Sequence, residues 1–95
     1  MSDQPALERW AGLFAMLADP SRLALLVCIH RAGRICVSDL AAATALKEST
    51  VSQALRLLRR RGVVAAERDG RLVRYALADD HVATLVERVA PARQR

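Results

Sequence analysis

The segment at residues 47–62, KESTVSQALRLLRRRG, permits few folds. At roughly 100° per residue it divides into two faces. Val51, Leu55 and Leu58 fall within roughly 60° of one another, with Ala54 beside them. Ser49, Gln53, Arg56 and Arg60 fall on the opposite side. One face requires a core to pack on. The other carries hydroxyl, amide and guanidinium groups, the types that reach base edges and phosphates in a major groove. Residues 48–61 are therefore a candidate DNA-recognition helix. Taken alone, such a face is better explained as a solvated surface, so the flanking sequence decides between the two.

The helix before it is short and well signalled. Ile35, Cys36 and Val37 read as an extended piece, and Ser38 as the cap of a helix from Asp39 to about Ala45. Leu40 and Ala43 are its expected inward residues. A turn at residues 45–47 then leads into the recognition segment, which is the order of a helix-turn-helix. After Gly62, residues 63–68 and 72–77 read as two strands, and Asp69-Gly70 between them is a strong hairpin signal. Arg68, Arg71 and Arg74 lie at or near its tip. An arginine-tipped hairpin directly after a recognition helix is a wing, able to lie on phosphates or enter a minor groove.

Three further helices complete the chain. Pro5 suits the first turn of a helix over 5–18, in which Leu7, Trp10, Phe14 and Leu17 share a stripe. Trp10 and Phe14 are large for a surface, and belong in a core or a dimer seam. Asp19 and Pro20 start a second helix, running to about Arg31 and stopped by Gly33. Leu25, Leu26 and Ile29 form its buried arc, with Leu23 and Cys28 on the flanks. Arg22 is expected to pair with a carboxylate or a helix C-terminus rather than with DNA. Asp79 or Asp80 caps a last helix, striped by Val82, Leu85, Val86 and Val89 and ended by Pro91. Residues 1–4 and 92–95 have no stripe and are expected to be disordered.

Ninety-five residues make one domain, and a modest core that a second subunit would augment. Fifteen Lys and Arg stand against ten Asp and Glu, a net charge of +5, and every basic residue but Lys47 is Arg. The isoelectric point near 10.6 is an electrostatic footprint of nucleic-acid binding. Arg suits bidentate contact with phosphate and guanine. Trp10, Phe14 and Tyr75 are the only aromatic residues, too few for single-strand stacking platforms. The longest apolar runs, such as residues 23–29, fall short of the roughly 18–20 residues that span a bilayer. Two cysteines without a signal peptide point to reduced thiols in a cytoplasm. With no phosphate loop, no nucleophile beside an orienting base and no complete metal cluster, an enzyme is not expected.

Several phrases in this order resemble one family. They are Leu17-Ala18-Asp19-Pro20-Ser21-Arg22-Leu23, Asp39-Leu40-Ala41, Ser49-Thr50-Val51-Ser52-Gln53 with Leu55-Arg56-Leu57-Leu58-Arg59, Gly62-Val63-Val64, and Arg74-Tyr75-Ala76-Leu77. The chain is similar, over roughly residues 7–89, to the arsenic-repressor-type (ArsR/SmtB) bacterial regulators. The resemblance implies a mainly α winged helix-turn-helix in the order α-α-α-α-β-β-α. It also implies a homodimer built on the terminal helices, through Leu7, Trp10, Phe14, Val82, Leu85, Val86 and Val89. The partner would be double-stranded DNA carrying an inverted repeat, and the function repression of the chain's own or an adjacent operon. On the DNA side the residues are Ser49, Thr50, Ser52, Gln53 and Arg56, with Lys47 and Arg60 toward phosphates and Arg68, Arg71 and Arg74 on the wing. Two positions depart from the family pattern. Ala54 stands where a polar residue is frequent, and Lys47 where a Ser cap is frequent, at a cost of about 1 kcal/mol.

The family's sensing sites are incomplete here. A Cys-Val-Cys-Asp phrase becomes Cys36-Val37-Ser38-Asp39, leaving one thiolate for soft ions that take several. Asp79-Asp80-His81 matches the Asp-x-His pair of a last-helix metal site, but the positions for the other subunit's ligands hold Ala92 and Arg95. Asp79, His81 and Cys36 are thus candidates for a metal ion without a full ligand set. Cys36, before a helix start, and Cys28 are the redox candidates. Cys28 reads foremost as a core residue and His30 as solvent-facing. Three readings of control stay open: no effector, a thiol or redox sensor, or an unfamiliar metal site. The functional alternative is a winged-helix module that regulates only with a partner protein.

Overall fold

A computed structural model describes residues 3–91. Helix α1 spans Gln4–Leu17 and α2 spans Pro20–Ala32. The two meet at 90°. Asp19 makes the corner: its carboxylate accepts the Arg22 amide at 3.0 Å, and Pro20 takes the first turn, where no amide donor is needed. Arg22 then donates back to the last carbonyls of α1, from Nε to Met16 O at 2.9 Å and from Nη2 to Ala15 O at 3.3 Å. This is the helix C-terminus pairing expected of it. At the far end the Gly33 amide donates to Ile29 O at 2.8 Å, with φ at +83°.

Strand β1 is Ile35–Cys36 and α3 is Val37–Thr44. The expected Ser38 cap is not used. Cys36 is the N-cap, without a side-chain bond, and Ser38 is already helical. The buried side of α3 holds Leu40 and Ala41, whereas Ala43 is exposed. Helical spacing accounts for this: residues 37, 40, 41 and 44 share an arc that excludes 43. Ala45 ends α3 in the left-handed region at φ +60°. Its conformation turns the chain within three residues into α4, Glu48–Arg60.

Arg61 caps α4 at its C-terminus, and the Val63 amide closes the turn onto Leu58 O at 2.9 Å. Strands β2, Val64–Asp69, and β3, Leu72–Leu77, form the hairpin, and α5 spans Asp80–Val89. The register pairs Asp69 with Leu72, so Gly70 and Arg71 are the turn residues, one position later than Asp69-Gly70. Gly70 takes φ +65°, which a two-residue hairpin favours at its first central position. The extended piece is also a true strand. β1 pairs with β3 through Ile35↔Tyr75 and Cys36↔Arg74, giving a three-stranded antiparallel sheet in the order β1-β3-β2.

Leu25, Leu26, Ile29, Leu40, Val51, Leu55, Leu58, Val63, Val82 and Val86 are each at most 1% exposed and form one core. It draws on every helix, α1 contributing Met16. The arrangement is a winged helix-turn-helix: α3 and α4 make the motif and the β2–β3 hairpin the wing. No single helix is long and apolar enough to cross a membrane, among the described residues. The expectations for residues 1, 2 and 92–95 lie outside the described residues. Gln4, by contrast, is the first helical residue of α1.

Candidate nucleic-acid interface

The apolar stripe of α4 sets the direction of everything opposite it. Val51, Leu55 and Leu58 are at most 1% exposed, which anchors the helix on the core. Ser49, Thr50, Gln53, Arg56 and Arg60 are consequently exposed, and Ser52 is half-buried at the edge. Ala54, the other departure from the family pattern, packs against the core cluster. Among the described residues no side chain of this outer face is engaged in a hydrogen bond or ion pair. Lys47 is the N-cap and gives α4 no side-chain cap, so the amides of the first turn are left without that acceptor. Open amides and a positive helix end suit a phosphate oxygen.

The wing is built differently. Arg68 and Arg71 are exposed near the turn, and Arg68 makes only a long contact, Nη1 to Gly70 O at 3.5 Å. Arg74 lies opposite Glu67 in the β2–β3 register, with Nε 3.6 Å from Asp69 Oδ2. Arg34, a residue that sequence reasoning passed over, donates from Nη1 to Glu67 Oε1 at 2.7 Å. That hydrogen bond, and then the carboxylate's charge, hold the Arg34 guanidinium even more firmly protonated than usual. Both acids of the wing are thus matched by arginines. Arg74 is drawn into this pairing, which leaves Arg68 and Arg71 as the guanidiniums at the tip. Arg34 stands 33 residues from Glu67, so no local spacing could have signalled the contact.

The terminal helices divide their stripes. Val82 and Val86, both expected at a dimer seam, are buried in the chain's own core at 0 and 1% exposure. α5 meets α2 along that edge, while its other edge stays open. Leu7, Trp10, Phe14 and Val89 are exposed by 61, 36, 53 and 67%, and Leu85 is half-buried beside them. Phe14, Leu17, Leu23, Leu85, Val86 and Val89 line an apolar groove there.

The sensing candidates are scattered. Asp79 caps α5, accepting from the amides of His81 at 2.8 Å and Val82 at 3.2 Å. The His81 ring instead sits against Trp10, with centroids 5.0 Å apart. Cys36 is a buried free thiol whose Sγ lies 3.4 Å from Ser38 Oγ, and Cys28 is a half-buried free thiol on α2. Among the described residues no three His, Cys, Asp or Glu side chains come together. His30 is not solvent-facing as expected: it is half-buried, and its Nε2 lies 2.5 Å from Glu87 Oε1, tying α2 to α5.

Residues 19–66 match the family described as bacterial regulatory protein, arsR family. A transcriptional repressor SmtB homolog of Synechocystis sp. is 48% identical over 83 residues, covering 87% of this chain and 62% of that relative. The chain therefore spans under two thirds of that protein's length. Among solved structures, the AntR antimony-specific transcriptional repressor superposes with a TM-score of 0.82 at 36% identity, over 93% of this chain and 78% of that one. A homodimeric winged helix-turn-helix DNA-binding domain from Mycobacterium bovis gives a TM-score of 0.78 at 31% identity, over 92% and 80% of the two chains.

Proposed function

The chain belongs to the arsR family of bacterial regulatory proteins, and from that premise we propose that it is a homodimeric, sequence-specific DNA-binding repressor of transcription. The observation that carries this reading is the outer face of α4: five exposed polar and charged side chains on a helix anchored by its other face, none of them committed among the described residues. Groups left this way on a rigid support are groups placed for a ligand. α4 enters the major groove, where Ser49, Thr50, Ser52, Gln53 and Arg56 meet bases and nearby phosphates. Lys47 and Arg60 hold the backbone on either side. Arg68 and Arg71 reach the phosphates or the minor groove from the wing, and Arg74 braces the wing.

Leu7, Trp10, Phe14, Leu85 and Val89 supply the apolar surface for a second copy. Two recognition helices then face two half-sites of an inverted repeat. The chain works in the cytoplasm on double-stranded DNA and carries out no catalysis. The named relatives' repressor role supports repression rather than activation.

The test is titration of the purified protein against its own promoter and against a scrambled duplex of equal length, at low and at moderate salt. A promoter preference of 1000-fold or so, with affinity falling steeply as salt rises, is expected. Equal binding to both duplexes, or none, contradicts the reading and favours a module that acts with a partner protein.

A further inference from the structure

A cleft of about 290 Å³ opens where α1, the end of α4 and the start of α5 meet. Its walls include Arg9, Trp10, Gly12, Arg61, Asp79 and His81. The DNA-facing residues are elsewhere, and of these side chains only Trp10 also belongs to the surface proposed for a second copy.

Three observations assign a chemistry to it. First, its charge is unbalanced. Arg9 and Arg61 have no carboxylate or carbonyl partner among the described residues, while the cleft's one acid, Asp79, is already bonded to two backbone amides. Second, Arg61 is given room. A Cβ on Gly12 would stand 2.9 Å from Arg61 Nη1, so the guanidinium lies close over the backbone of α1 at the one position without a side chain. Glycine within a helix is otherwise a destabilising choice. Third, an aromatic side chain lines it: the Trp10 indole, in ring contact with His81 at 5.0 Å, which also lines the cleft, and with Phe14 at 5.7 Å. Two guanidiniums repel a divalent cation. They suit a carboxylate, which a guanidinium takes in a two-point contact, and an indole face suits a planar body. The volume is that of a small-ligand pocket at the low end of the usual range.

We propose that this cleft binds a small aromatic carboxylate, with the carboxylate on Arg9 and Arg61 and the ring against Trp10. Arg61 is the C-cap of α4, so the ligand grips the end of the recognition helix, and Trp10 is shared with the surface proposed for a second copy. Occupancy would thereby bias the angle of α4 relative to the dimer seam and change operator affinity. That last step rests on the DNA-binding reading; the binding step does not.

Trp10 is the chain's single tryptophan, so its emission reports the cleft directly. The probe is benzoate, with benzyl alcohol and inorganic phosphate as controls, on the full chain without DNA. Benzoate should change the emission saturably and the two controls should not. Arg9→Gln and Arg61→Gln should each weaken benzoate by about 10-fold or more, with the thermal unfolding midpoint of each variant unchanged. Gly12→Ala, whose methyl displaces the Arg61 guanidinium, should weaken it while leaving α1 folded. A response that does not saturate, an equal response to benzyl alcohol or phosphate, or unchanged benzoate affinity in both arginine variants overturns the proposal. Because this arm contains no DNA, its failure leaves the promoter titration untouched, and failure of the promoter titration leaves this arm to stand or fall alone.

Discussion

The outer face of α4 and the β2–β3 wing both look like DNA-binding surface in the sequence, yet they are built on opposite principles. On α4 the exposed Ser49, Gln53, Arg56 and Arg60 are uncommitted, and their placement comes wholly from the apolar side of the same helix. On the wing, charge is spent internally. Glu67 takes Arg34 at 2.7 Å, and Asp69 takes Arg74 at 3.6 Å. The core-anchored helix can present a full row of free groups. The part of the hairpin beyond Val64, Tyr75 and Leu77 lacks such an anchor, and the ion pairs it makes help to fix its shape. A count of arginines therefore overstates what the wing offers to DNA. Arg68 and Arg71 carry no acidic partner among the described residues, whereas Arg74 has one in Asp69.

The largest effect should come from removing the anchor that α4 depends on. Leu55 is 1% exposed in the centre of the core, so Leu55→Ala should cost about 3 kcal/mol of stability by the usual cost of emptying a leucine site. Chemical denaturation measures this directly. A loss under about 1 kcal/mol would mean that α4 is not held by this face. A smaller effect is expected from the free wing arginine. Arg71→Ala should weaken binding to promoter and scrambled DNA alike, and should lower the salt slope by about one ion. Unchanged affinity and slope would remove the wing from the interface. The smallest effect distinguishes the two kinds of arginine. Arg74→Ala should leave the salt slope as in the wild type and shift stability by no more than about 0.5 kcal/mol, as for an exposed pair. A slope change matching that of Arg71→Ala would erase the distinction.

Much of the fold was legible because it is locally specified. Asp19-Pro20, the two-faced helix from Glu48 and the hairpin around Gly70 each declare themselves within a few residues, although the turn falls one position later than Asp69-Gly70 suggests. What was not legible is set by contacts between distant residues. The β1–β3 pairing joins Ile35 to Tyr75, and the tie between His30 and Glu87 spans 57 residues. The last helix shows a further limit. Its stripe is continuous in sequence, but only the structure separates Val82 and Val86, facing α2, from Leu85 and Val89, facing outward. For the site, residue type foretold the polar face of α4, because burial of the opposite face leaves no other orientation. Type could not foretell which arginines have partners, since Arg68, Arg71 and Arg74 carry the same group and only the folded hairpin sets which acid lies near each. Nor could it foretell the cleft of Arg9 and Arg61, which forms between three separate helices.

The central claim is that α4 reads bases, and Gln53 is its most direct probe. The amide is exposed, uncommitted and suited to bidentate contact with adenine. The measurement is the ratio of promoter to scrambled-duplex affinity in the wild type and in Gln53→Ala, each across a salt series. The ratio should fall by roughly 5- to 100-fold, as for a lost contact of about 1–3 kcal/mol, while the salt slope stays unchanged. An unchanged ratio together with a reduced slope would make Gln53 a backbone contact and contradict base reading by this face.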